Sequence, residues 1–139
     1  MPNIRYQRLA SELLPLANKF YKSQRSPMRV GRSEQVWVAQ QTEIIAACCL
    51  KPVADGHWLT ALLVAREQRQ QGIASQLLNE LRTHSQGPIW LFCAPELLSF
   101  YQRLGFAPCP ALPPELTERL LRYQRKQPLL ALASPPQCG

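Results

Sequence analysis

The sequence predicts an α/β protein built on a central mixed, mostly antiparallel β-sheet with helices on both faces. Three observations carry that prediction. Apolar runs of strand length recur along the chain, from "QVWVA" (35–39) to "IWLFCA" (89–94). Segments with apolar residues at helical spacing lie among them, such as Ile73, Leu77, Leu78 and Leu81. Turn signals, "ADG" (54–56) and "QGP" (86–88), punctuate the two kinds of segment. Strands and helices interleaved in this way argue for a sheet covered by helices.

Each element follows in order. Ile4 and Tyr6 alternate with Arg5 and Gln7, the period of a short first strand. Leu13, Leu14, Ala17, Phe20 and Tyr21 then recur at helical spacing, with Pro15 in the first turn, where a proline is tolerated. "SQRSPMRVGRSEQ" (23–35) has no period and reads as a loop or a short irregular helix. "QVWVA" and "IIAACCL" (44–50) are strands joined across the hairpin-sized gap "QQTE". Asp55-Gly56 is a favoured tight-turn pair, leading into a third antiparallel strand, "HWLTALLVA" (57–65). That strand is apolar almost throughout, so it is expected to be central and covered on both faces.

A helix is expected from about Gln70 to His84, stopped by "QGP". "IWLFCA" is the next strand. Pro95 then opens a helix with a buried stripe of Leu97, Leu98, Tyr101 and Leu104, and Gly105 suits its left-handed C-cap. A short strand, a helix in "PPELTERLLRYQRKQ" (113–127) and a last strand in "PLLALAS" (128–134) complete the chain. No repeat or linker divides it. The expectation is one domain, residues 1–134, with a tail at 135–139.

Composition narrows the class. Apolar residues make up 46% of the 139 residues, which excludes a disordered segment. No apolar run approaches the roughly 20 residues that span a bilayer. "MPNIRYQRLA" lacks the apolar core of a secretory signal. A soluble, cytoplasmic protein with no membrane partner is expected. The five cysteines, Cys48, Cys49, Cys93, Cys109 and Cys138, are odd in number and contain no C-x-x-C pair. Buried free thiols are favoured over a metal or disulfide role, with Cys138 exposed in the tail. Cys48 and Cys49 are adjacent in a strand and should face opposite sides.

The net charge of +7, from 16 Lys and Arg against 9 Asp and Glu, suits an anionic partner. The basic residues are scattered without interleaved aromatics, so nucleic acid is not the expected partner. Arg25, Arg29 and Arg32 lie together in the loop and read as a solvated rim; they also suit an acidic acceptor.

The stretch "RQQGIAS" (69–75) leaves an apolar strand, passes Gly72 and opens a helix. A glycine there lets backbone N–H groups approach a ligand closely, and a helix N-terminus favours an anion. It lacks the three spaced glycines of a dinucleotide fingerprint and the Gly-Lys-Ser/Thr of a Walker A loop. Arg69 to Ala74 instead matches Arg/Gln-x-x-Gly-x-Gly/Ala, and further on "FYQRLGF" (100–106) matches Tyr-x-x-x-Gly-Phe. With these two motifs in this order, the chain resembles the GNAT superfamily of acetyl-CoA-dependent N-acetyltransferases.

The resemblance implies the GNAT fold and a site for acetyl-CoA, with no metal. Arg69, Gln70, Gln71, Gly72, Ile73, Ala74 and Ser75 would hold the pyrophosphate, and backbone groups of Leu62, Leu63 and Val64 would serve the pantetheine arm. Tyr101 aligns with the tyrosine that protonates the departing thiolate, which a phenol of pKa about 10 can do without being ionised at neutral pH. Two features depart from the family. No carboxylate lies on the strand "HWLTALLV", where many members carry a glutamate base, and Trp58 stands near that place. His57, with an ordinary pKa of about 6.5, is the one titratable side chain there; it is a candidate base or a strand-start surface residue. Glu34 and Glu43 sit at strand edges and read as solvated. "CAPE" replaces an asparagine often found before the tyrosine helix.

The activity implied is direct acetyl transfer to an amine of a small molecule or protein, in a monomer or homodimer. The alternative is a non-catalytic acetyl-CoA sensor that regulates a partner protein.

Overall fold

A computed structural model describes residues 3–31, 34–109 and 111–134. Arg32, Cys138 and the tail lie outside the described residues. The elements run β1 (Arg5–Arg8), α1 (Leu14–Ser23), β2 (Gln35–Gln40), β3 (Ile44–Val53), β4 (Gly56–Val64), α2 (Ile73–His84), β5 (Ile89–Cys93), α3 (Leu98–Arg103), β6 (Ala107–Pro108), α4 (Pro114–Gln124) and β7 (Leu130–Ser134). The seven strands form one mixed sheet in the order β1-β2-β3-β4-β5-β7-β6, flanked by the helices. This is the α/β class expected.

By contacts the chain divides into two compact units. The first holds Met1–Lys51 and Leu59–Ser85, the second Pro52–Trp58 and Gln86–Gly139.

In the first unit, β1 and β2 pair antiparallel with Tyr6 opposite Ala39, and β2 and β3 pair antiparallel with Trp37 opposite Cys48. Val36 to Ala39 and Ile45 to Leu50 are buried in unbroken runs, so both faces of these strands are covered. α1 contributes Ala17, Phe20 and Tyr21 to this core, and α2 contributes Ile73, Leu77, Leu78 and Leu81. α1 ends in a Schellman motif: Ser26 N–H donates to the Tyr21 carbonyl (3.0 Å) and Arg25 N–H to the Lys22 carbonyl (3.0 Å). Arg25 takes the left-handed position, φ 58°, that a glycine usually fills.

In the second unit, β4 starts parallel to β5, with His57 opposite Ile89 and Trp58 opposite Trp90. β5 pairs antiparallel with β7, and β7 with β6. Val53, Trp58, Trp90, Cys109, Leu116 and Ala133 form its core. The turn between β3 and β4 differs from expectation. Its two residues are Ala54 and Asp55, with Ala54 left-handed at φ 50°, while Gly56 already belongs to β4. Gly56 serves close approach: a Cβ there would overlap the Pro88 carbonyl.

The expected apolar stripe of the tyrosine helix is also revised. Residues Pro95–Leu97 form a 3-10 turn ahead of α3, which turns Leu97 outward to 45% exposure. Leu98 and Tyr101 are half-buried, and Leu104 is buried. Gly105 is left-handed, φ 95°, as its C-cap role requires. Among the described residues, Cys48, Cys49, Cys93 and Cys109 are buried free thiols. No described helix is long and apolar enough to cross a membrane.

Candidate functional site

The turn from β4 to α2 carries two left-handed residues, Gln70 (φ 64°) and Gly72 (φ 75°), with Gln71 between them. Gly72 is the N-cap of α2, and no side chain caps the helix. The Gln76 N–H bonds the Gly72 carbonyl at 3.1 Å and so opens the helical ladder. The N–H groups of Ile73, Ala74 and Ser75 precede that bond and have no intrahelical acceptor. They sit at the positive end of the α2 dipole. Ile73 is buried and anchors the helix; Ala74 and Ser75 are half-buried; Gln70, Gln71 and Gly72 are exposed.

A Cβ built on Gly72 meets nothing within 4 Å. The glycine is therefore not there to avoid a protein neighbour. Open space adjoins its left-handed backbone beside the first N–H groups of α2, donors of the kind that a phosphate or pyrophosphate needs. Residues 69–75 thus fit the group that the sequence motif implies. Arg69 is held beside the turn, its Nε donating to the Val64 carbonyl at 3.2 Å. That bond occupies one of the strand carbonyls expected to serve the pantetheine arm.

The second half of β4 departs from a regular strand. Ala61 is left-handed at φ 57°, and Thr60, Ala61, Leu62, Leu63 and Val64 are all half-buried. The expectation of a strand covered on both faces therefore fails here, because a left-handed residue breaks the two-residue alternation of side chains. The Ala61 carbonyl accepts a hydrogen bond from the Tyr21 hydroxyl at 2.8 Å. Tyr21 is fully buried in α1 and also approaches Cys49 Sγ at 3.9 Å. Burial pushes its phenol well above the usual range, with Cys49, Cys48 and Glu34 adding to the shift. Burial likewise raises the Cys49 thiol to about 11, with the Glu34 charge adding.

Glu34 is not the freely solvated strand-edge carboxylate expected. It is half-buried, accepts from the Gly31 N–H, and lies 3.5 Å from the Thr60 hydroxyl. Glu43 is exposed as expected.

In the second unit, Tyr101 lies on α3 with its ring edge-on to Phe100 (5.0 Å) and Phe106 (6.0 Å). Two backbone bonds fix the end of its helix. Phe106 N–H donates to the Tyr101 carbonyl (3.0 Å) and Gly105 N–H to the Gln102 carbonyl (3.1 Å). His57 is the second residue of β4, bonded through its N–H to the Pro88 carbonyl at 3.0 Å. Its Nδ1 is buried without a partner, and desolvation lowers its pKa, so the ring is neutral at pH 7. Trp58 is buried under the Arg119 guanidinium, 4.6 Å from its ring centroid, and Phe92 tilts against it at 5.4 Å. No carboxylate occupies that position.

Sequence reasoning missed the Tyr21–Ala61 pair and the seating of Glu34. An alanine carries no signature of a left-handed backbone, and Tyr21 falls on the apolar stripe of its helix, where it reads as core.

Comparison with known proteins agrees with the fold. The model of the acetyltransferase (GNAT) domain matches residues 32–108, more than half of the chain. No curated protein matches the sequence. Among solved structures, Tetrahymena GCN5 shares 12% identity over 96% of this chain and 98% of its own, with a TM-score of 0.70. Escherichia coli ElaA shares 15% over 96% and 99%, with a TM-score of 0.65. Arabidopsis thaliana Naa50, solved with the bisubstrate analogue CoA-Ac-MVNAL, shares 17% over 94% and 97%, with a TM-score of 0.65. With two ordered sequence motifs, a seven-stranded mixed sheet and a domain model matching most of that sheet, the chain belongs to the GNAT acetyltransferase family.

Proposed function

We propose that the chain is an acetyl-CoA-dependent N-acetyltransferase that moves an acetyl group directly to an amine in a ternary complex. The observation that carries this reading is the open turn at Gly72, where no side chain caps α2 and nothing lies within 4 Å of a Cβ built on the glycine. Ile73, Ala74 and Ser75 bind the pyrophosphate through their N–H groups, and Arg69 adds positive charge. Backbone groups of Leu62, Leu63 and Val64 align the pantetheine arm. When bound, acetyl-CoA supplies a thioester whose acyl carbon is open to a neutral amine.

Tyr101 donates its phenolic proton to the departing sulfur. His57 is neutral near pH 7 and so is able to take the amine proton. The acceptor is an amine of a small molecule or a protein. A second reading, an acetyl-CoA sensor without turnover, is favoured by one observation: buried Trp58, rather than an acid, stands where many family members carry their base.

Calorimetry with acetyl-CoA, followed by product analysis against a library of amino acids, polyamines and peptide N-termini, separates the two. Saturable binding with an acetylated product supports the enzyme. Binding with no product from any amine favours the sensor, and no binding removes both.

A further inference from the structure

The tryptophan donors of this molecule are met unequally. Trp37 Nε1 reaches the Gln35 side-chain oxygen at 3.5 Å, whereas Trp58 Nε1 and Trp90 Nε1 are buried with no acceptor. Both unmet donors belong to one face of the sheet in the second unit. Trp58 is opposite Trp90 in the parallel register of β4 and β5, and both join a core with Leu116 of α4. α4 lays an unusual stripe on that face. Leu116, Arg119 and Tyr123 recur at helical spacing. Leu116 is buried, the Arg119 guanidinium lies 4.6 Å from the Trp58 ring centroid, and Tyr123 meets Phe92 edge-on at 6.2 Å. A cation thus holds an inward place, while Leu121 on the same helix is turned out to 59% exposure.

The Arg119 side chain is only 20% exposed, and its ion-pair partner Glu115 stands 3.8 Å away on the exposed side of the helix. That distance is too long for a hydrogen bond, and such a pair contributes little. Among the described residues, no oxygen accepts a hydrogen bond from this guanidinium, which carries five N–H donors in a planar fork. The indole attracts the cation without supplying an oxygen acceptor. Enclosing a charged fork beside two further unmet donors is costly unless a partner brings acceptors to it. The partner must carry negative charge and oxygen lone pairs to a single arginine. A carboxylate does so, with two oxygens that match the fork.

We propose that Arg119 binds a carboxylate of the acceptor, so that the amine acetylated belongs to a carboxylate-bearing molecule such as a free amino acid. The place of Trp58 points to the acceptor: it precedes Leu62, the first residue given to the pantetheine arm, by four positions on the same strand. This rests on the acetyltransferase reading and goes beyond it in naming the acceptor's class and the residue that selects it. Arg25 and Arg29, by contrast, are exposed, as a solvated rim requires.

The test compares amino acids with their own amides as acceptors, phenylalanine against phenylalaninamide and alanine against alaninamide. The wild type should prefer the acid in kcat/KM by at least about 10-fold, the size of a charge-assisted pair. Arg119→Gln should raise KM for the acid by about 10-fold or more. KM for the amide, and acetyl-CoA affinity by calorimetry, should stay within about 2-fold. Arg119→Lys should recover part of the loss, because it keeps the charge without the fork. An equal loss for acid and amide is the mark of a packing role and overturns the assignment. A wild type that acetylates amides as well as acids overturns it too.

Should the Arg119 variants not fold, the wild-type protein still decides. Its Trp58 indole N–H resonance should move on titration with benzoate and stay in place with benzamide, and a resonance unmoved by benzoate overturns the assignment. Wild-type protein that binds no acetyl-CoA sinks the acetyltransferase reading, and the acceptor with it, even where benzoate binds. Wild-type protein that binds acetyl-CoA but acetylates no carboxylate-bearing amine sinks only the role given to Arg119.

Discussion

The two sequence motifs each contain a left-handed glycine, and the two glycines do different work. Gly105 (φ 95°) ends α3 in a Schellman motif, and its position is explained by the helix carbonyls that Phe106 and Gly105 N–H groups satisfy. Gly72 (φ 75°) begins α2, caps nothing with a side chain, and faces empty space. The first serves a helix end; the second has no neighbour within 4 Å of its Cβ position to explain it. Arg25 completes the comparison. It holds the same left-handed Schellman position at the end of α1 as Gly105 does at the end of α3, although it has a side chain. A glycine at such a site is a convenience of a few tenths to about 1 kcal/mol, which a protein can forgo. Gly72 instead adjoins open space at the start of a helix.

The largest expected effect tests whether the second motif is structural alone. Tyr101→Phe keeps the ring packed against Phe100 and Phe106 and removes only the hydroxyl. Turnover should fall by about 10²–10⁴-fold with acetyl-CoA affinity little changed, the usual contribution of a proton transfer. Steady-state kinetics with an identified acceptor measures it. Wild-type turnover would reduce the motif to a helix and its cap.

Gly72→Glu puts a carboxylate into the open space beside the start of α2. Acetyl-CoA affinity should drop at least about 100-fold, roughly 2.7 kcal/mol, with the circular dichroism spectrum retained. Unchanged calorimetric binding would mean the space at Gly72 is idle and the contrast with Gly105 empty.

Gly105→Ala should show the reverse pattern. Forcing a Cβ into the left-handed region at this helix end costs about 1 kcal/mol, read as a lower urea midpoint with an unchanged slope. Its loss of acetyl-CoA affinity should be smaller than that of Gly72→Glu; an equal or larger loss would erase the distinction.

The smallest effect is at Arg25, which is exposed. Arg25→Gly should raise stability by about 0.5–1 kcal/mol by relieving the same backbone strain. A neutral or destabilising result would show that the Arg25 side chain contributes something beyond its backbone position.

The sheet and its helices were largely legible. Ile73, Leu77, Leu78 and Leu81 were readable as the buried face of α2 because helical periodicity is written in the residues themselves, and all four are buried. The strand-rich stretch 35–50 was readable for the same reason. The errors share a cause. Leu97 was expected inside, yet a 3-10 turn shifts it by part of a turn to the surface. Asp55-Gly56 reads as the hairpin pair, yet Ala54 takes the left-handed position and Gly56 serves the approach of the Pro88 backbone. In each case a backbone choice of one residue overrode a pattern correct on average.

The site divides along the same line. The turn at Gly72 is legible because a glycine followed by a helix start is a matter of residue type, and residue types are what a sequence records. Its openness at Gly72, and the bond from Arg69 back to the Val64 carbonyl, emerge only when the chain is folded. The same holds for Tyr21 and Ala61, 40 residues apart. Nothing in either residue announces their hydrogen bond. A left-handed alanine is unfavourable by itself, and no sequence pattern marks it. Local propensity and periodicity determined which segments became strands and helices. Tertiary structure decided that the Ala61 carbonyl meets the Tyr21 hydroxyl, because a hydrogen bond between residues 40 apart forms only once the fold brings α1 to β4.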